Sequence, residues 1–181
     1  MPEHGYAPVN GLQLYYEIHG SGAALQVAID HPELVGKPVL ASLATSLDGV
    51  HPGLLDGIQN LRPEDLAGSP FQQAYARVAP NPDGWPALIE KIKRMDRSLP
   101  EWPAETIRSV AAPALLVYGD SDIVRPEHMA ELFRLFGGGV VGDNVGLPAS
   151  RLAILPGTTH ITLANRAEWL ASMIDEFLDG S

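Results

Sequence analysis

The chain is predicted to be an α/β protein: a mainly parallel sheet with an N-terminal hairpin and a helical insertion. Three observations lead there. Ala114-Leu115-Leu116-Val117-Tyr118 and Leu152-Ala153-Ile154-Leu155 are short apolar runs, each broken at once by turn-forming residues. A strand buried on both faces reads as such a run, and the helical pattern between them makes a strand–helix–strand unit. Between Thr45 and Val110 strand signals vanish and prolines crowd in (Pro52, Pro63, Pro70, Pro80, Pro82, Pro86, Pro100, Pro103), which marks an insertion of short helices.

The elements follow in order. Asn10-Gly11 lies between strand-like flanks in Ala7 to Ile18, a strong local signal for a tight hairpin. Leu12, Leu14, Tyr16 and Ile18 share one face of its second strand, with Gln13, Tyr15 and Glu17 on the other. Ala23 to Ile29 has helix-forming composition and Pro32 marks its end; Pro38 to Leu43 reads as the next strand. This second strand–helix–strand passage implies a parallel pair with a right-handed crossover. Within the insertion, helices fit at Gly53–Gln59, Phe71–Val78 and Trp85–Met95. Pro126 to Phe136 is amphipathic, with proline at its start and glycine after its end. Gly137-Gly138-Gly139 to Pro148 reads as a surface loop without the strand-and-helix context of a phosphate site. Asn165 can cap a last helix, Arg166 to Leu178.

Bulk properties exclude several function classes. The 181 residues fit one domain with a real core; 12 basic against 22 acidic residues leave a net charge of −10. Phosphate binding needs basic patches, so nucleic acid and anionic membrane are not expected partners. The Met1-Pro2-Glu3-His4 start shows no secretory signal and no apolar run is long enough to span a membrane, which makes a cytoplasmic protein the expectation. With no cysteine there is no disulfide, thiol nucleophile or thiolate metal site. His4, His31, His51 and His128 show no ligand spacing, so neither a metal nor another cofactor is expected.

Chemistry in parallel sheets gathers beyond the carboxyl ends of the strands. Asp122 and His160 both fall there, each on the loop after a predicted strand. Val117-Tyr118-Gly119-Asp120-Ser121-Asp122-Ile123-Val124-Arg125-Pro126 resembles the acid loop of the α/β-hydrolases, and Leu155-Pro156-Gly157-Thr158-Thr159-His160 their histidine loop. Val9 to Glu17 resembles the opening hairpin of the esterase, lactonase and haloperoxidase-like branches, and Gly22 to Leu40 the helix and strand behind the nucleophile. The resemblance implies a truncated α/β-hydrolase-type sheet: residues 1–44 and 111–181 form the core, and 45–110 form a helical cap. It implies His160 as general base and Asp122 as the acid that holds its tautomer, with Asp120 as the alternative acid. The family's G-x-S-x-G elbow and its His-Gly-rich oxyanion loop are absent. The hairpin runs straight into the helix, which reads as an internal deletion of the oxyanion and nucleophile strands.

Ser21, flanked by Gly20 and Gly22 between a strand and a helix, is the nucleophile candidate, with a plain hairpin-to-helix linker as the alternative. If the hairpin's second strand takes the nucleophile strand's slot beside the Val39 strand, Ser21 approaches His160 and the Gly22 amide becomes an oxyanion donor. Ser42 and Ser46 read as loop or capping residues. Trp85 and Trp102, with Phe71, Tyr75 and Met95, are candidates to line a substrate pocket, or else pack the insertion onto the core. The implied activity is hydrolysis of small carboxylic esters or lactones through a serine, His160 and Asp122. The alternative is an inactive, shortened relative serving as a binding or self-associating module. Loss of middle strands would bare edges and apolar faces, so a homodimer or strand-exchanged assembly is expected.

Overall fold

The structure, a computed structural model, describes residues 4–9, 12–17, 21–96 and 101–180. Strands β1 (His4–Val9) and β2 (Leu12–Glu17) pair antiparallel, with Val9 opposite Leu12. The Asn10-Gly11 turn, Ile18, Gly20 and the side chain of Met95 lie outside the described residues. Helix α1 (Ser21–Asp30) then leads to β3 (Val39–Ala41). Strands β4 (Leu115–Ser121) and β5 (Arg151–Thr159) complete a parallel sheet of order β3-β4-β5.

The two sheets are separate, and this corrects one expectation. β2 pairs with β1 and does not stand in the slot beside β3. The reason is legible in its pattern. Polar Gln13 and Glu17 alternate with Leu12, Leu14 and Tyr16 in its sequence, whereas a central parallel strand, covered on both faces, reads as a continuous apolar run.

Alternation along β4 builds two cores. Leu116 and Tyr118 join Leu25 and Ala28 of α1, Ile107 of α5 (Ala104–Arg108), and Met129 and Leu132 of α6 (Pro126–Leu135). Leu115 and Val117 face the other way, onto Phe177 of the final helix, Ala167–Asp179. Helices thus cover both faces of the sheet, as a parallel sheet requires. That final helix begins after a 3-10 turn, Thr162–Arg166, with no side-chain cap. Asn165 therefore sits inside the turn and does not serve as the expected cap.

Among the described residues of 45–110 the helices are α2 (Leu54–Ile58), α3 (Pro70–Val78), α4 (Trp85–Asp96) and then α5, joined by 3-10 turns. The sequence leaves β3 and returns at one point, where the Trp102 N–H donates to the Thr45 carbonyl at 3.0 Å. His128 fastens this junction to α6. Its buried Nε2 accepts the Thr45 N–H at 3.1 Å and lies 3.2 Å from Thr45 Oγ1, while Nδ1 faces Glu131 at 3.6 Å. A Cβ on Gly49 would fall 2.6 Å from the ring, so only glycine allows this approach.

An amide can only donate, so Nε2 must be unprotonated. Burial lowers the His128 pKa, more than Glu131 raises it. The stabilisation is therefore complete above the ordinary imidazole value of 6.5 and lost as pH falls below it, where the unfolded chain takes up the proton more readily. Melting temperatures across that range should drop towards acid in the native chain. In His128→Gln the dependence should be shallower, and equal slopes would contradict the assignment.

Candidate functional site

The carboxyl edge of the sheet holds a buried acid under a partly exposed histidine. β4 ends on the acid loop, and β5 runs into the histidine loop. His160 Nδ1 lies 3.1 Å from Asp122 Oδ1; the Asp122 side chain has no exposed surface, and that of His160 is 43% exposed. Asp122 also accepts Ser42 Oγ–H at 2.5 Å, the Gly119 amide at 3.2 Å and, at the long distance of 3.4 Å, the Val124 amide. Burial alone would raise this carboxyl. The hydrogen bonds from His160, Ser42 and Gly119 outweigh it and hold the group below the usual carboxylate range. An ionised carboxylate accepts only, so Nδ1 carries the imidazole proton and Nε2 keeps its lone pair. Among the described residues no group hydrogen-bonds to Nε2.

Asp120 does different work. Its carboxylate accepts the Gly157 amide at 2.9 Å and the Thr158 amide at 3.1 Å, which lowers its pKa and pins the histidine loop to β4. It has no hydrogen bond to His160 among the described residues, so the alternative acid is a loop clamp instead. This clamp is also why β4 continues through Asp120 where the sequence suggested a break. Gly119 allows the two loops to touch: a Cβ there would sit 2.1 Å from the Thr158 carbonyl oxygen.

Ser42 is the residue that sequence reasoning missed. It follows β3 with φ of 50°, the one positive value at a non-glycine among the described residues. Its amide continues the pairing to Val117 at 2.8 Å while its hydroxyl reaches Asp122. The available signal was its place at the end of a strand next to the acid strand.

Ser21 is the first residue of α1, and its hydroxyl donates to the Ala41 carbonyl. No hydrogen bond joins it to His160. The two tryptophans are engaged elsewhere. Trp85 is buried, donates Nε1–H to the Pro63 carbonyl at 3.2 Å and packs against Tyr75 with ring centroids 5.5 Å apart. Trp102 donates Nε1–H to Gln26 Oε1 at 2.9 Å and packs onto the core beside α1, and Phe71 is 48% exposed. Among the described residues no group of His, Asp and Glu is placed to hold a metal, and no helix is long and apolar enough to cross a membrane.

The arrangement matches known architecture. The chain superposes on a meta-cleavage product hydrolase from Pseudomonas fluorescens with a TM-score of 0.60 at 17% identity, covering 88% of this chain and 61% of that one. The fold is that of the α/β-hydrolases. A carboxylesterase from Bacillus subtilis shares it at a TM-score of 0.55 and 17% identity, over 89% of this chain and 57% of the esterase. So does the 2-hydroxy-6-oxo-6-phenylhexa-2,4-dienoate hydrolase of a Rhodococcus strain, at 0.55 and 19%, over 88% and 61%. The chain thus carries the α/β-hydrolase fold over about three fifths of these neighbours' length. No protein-family model and no curated protein matches it.

Proposed function

We propose that the chain hydrolyses small carboxylic esters or lactones by general-base catalysis at His160, oriented by Asp122. One observation carries this reading: the 3.1 Å contact that leaves the His160 Nε2 lone pair free at the edge of a parallel sheet. A base so placed can take a proton from a nucleophile and return it to the leaving oxygen. The hydrolase neighbours of the same fold support the reaction class. Because the Ser21 hydroxyl is given to Ala41, water is the nucleophile that this geometry favours. The ordinary partners of an acyl-enzyme route, a G-x-S-x-G serine and an oxyanion loop, are absent from the sequence. This absence and the partial span of the neighbours support the internal deletion.

p-Nitrophenyl butyrate tests the reading. Turnover should exceed that of an equal concentration of free imidazole, and Ser21→Ala should keep it within about two-fold. No turnover above imidazole would sink the proposal. Loss of activity in Ser21→Ala would make Ser21 the nucleophile.

A second reading rests on the outer edge of β3, which pairs with no strand among the described residues. On the nearby helix and turn, Val27 and Leu34 are 42% and 72% exposed. A bare edge with apolar neighbours invites a second copy of the chain. Sedimentation should give a dimer at high concentration; a monomer throughout would remove this reading.

A further inference from the structure

A cavity of about 280 Å³ opens where the segment after β3 meets the acid loop, lined by Leu47, Asp48, Val50, His51, Leu55 and Arg125 among others. Its frame is rigid. Val50 bridges Val124 in antiparallel fashion, the His51 amide donates to the Ile123 carbonyl at 3.0 Å, and the Arg125 amide to Gly49 at 2.8 Å. Arg125 Nε–H donates to the Asp48 carbonyl at 2.7 Å, which fixes the guanidinium plane. The two terminal nitrogens find no acceptor among the described residues, and no carboxylate there forms an ion pair with them.

We propose that this cavity binds a small aliphatic monocarboxylate. The free terminal nitrogens of Arg125 present a planar fork that matches a carboxylate's two oxygens, a geometry that a lysine cannot supply. Leu47, Val50 and Leu55 offer apolar wall to a short alkyl tail, and Leu47 is 51% exposed without it. His51 adds a second polar group at the rim. Asp48 also lines the cavity and opposes an anion through its side chain, although its backbone carbonyl holds Arg125. The site needs no chemistry at His160.

Butyrate titrated into ¹⁵N-labelled full chain at constant ionic strength tests this, with butyramide as the neutral isostere. The amide resonances of Gly49, His51 and Arg125 should shift and saturate with Kd on the order of 1 mM. Butyramide should leave them in place. Arg125→Gln should weaken binding by at least ~10-fold, and Asp48→Asn should tighten it by about three-fold as the opposing charge goes. The same shifts should appear in His160→Ala, which separates this site from any hydrolytic activity. Shifts that do not saturate, that butyramide reproduces, or that ignore both charge variants would overturn the proposal. If Arg125→Gln proves unfolded, the butyrate–butyramide pair and Asp48→Asn still decide it.

Discussion

His160→Ala and Asp122→Asn are each expected to lower ester turnover by roughly 10²-fold, the lower end of what general-base catalysis contributes, with the fold intact. For His160 the loss is direct, because the base itself is gone and its exposed ring contributes little packing. For Asp122 it runs through the tautomer. An asparagine can still accept the Gly119 amide through its oxygen. Its NH₂, however, donates where the carboxylate accepted, and it would meet His160 Nδ1 as a donor. The imidazole proton would then move to Nε2 and remove the lone pair that faces substrate. Ser42 keeps its acceptor on the same oxygen as Gly119, whereas the Val124 amide, which shares the other oxygen with His160, would lose its own. Steady-state rates with p-nitrophenyl butyrate, paired with circular dichroism to confirm folding, measure both effects. Equal rates in the native chain and Asp122→Asn would mean that the acid does not orient the base.

Trp85→Ala is expected to destabilise the chain by ~3–5 kcal/mol, the range for emptying a buried aromatic site. The residue is 6% exposed, and its ring lies tilted against Tyr75 and is tied to Pro63 through Nε1. Its removal leaves a void, and the Pro63 carbonyl loses its donor. Chemical denaturation reads the stability, and a panel of acyl chain lengths reads the selectivity. A large fall in stability with unchanged selectivity is expected from these contacts. Altered selectivity at full stability would return Trp85 to the role of a pocket wall.

Much of this architecture is legible in the sequence because its signals are local. Leu115 to Tyr118, short and bounded by turn residues, reads as a strand covered on both faces, and Pro126 with Gly137 brackets a helix by rules that act within a few residues. Position just beyond apolar runs places Asp122 and His160 at the sheet edge, and their roles as acid and base come from the resemblance of the two loops to those of the α/β-hydrolases. What was not legible depends on residues far apart in the chain. Ser42 looked like a loop residue because its partner, Asp122, lies 80 positions on. Asp120 and Asp122 are alike in composition. They separate only once β5 arrives and presents two amides to one and an imidazole to the other. The place of β2 does not follow from strand–helix–strand order, which constrains handedness but not whether a strand joins the sheet at all. The polar alternation of Gln13 and Glu17 speaks against a strand covered on both faces.

The decisive proton is the one on the neutral His160 ring. Long-range ¹H–¹⁵N correlation spectra of the histidine rings near neutral pH distinguish a nitrogen that bears hydrogen from one with a free lone pair. If Asp122 holds His160 as described, the neutral ring is protonated at Nδ1 with Nε2 bare, and Asp122→Asn reverses the pattern. A neutral His160 protonated at Nε2 in the native chain would contradict the account.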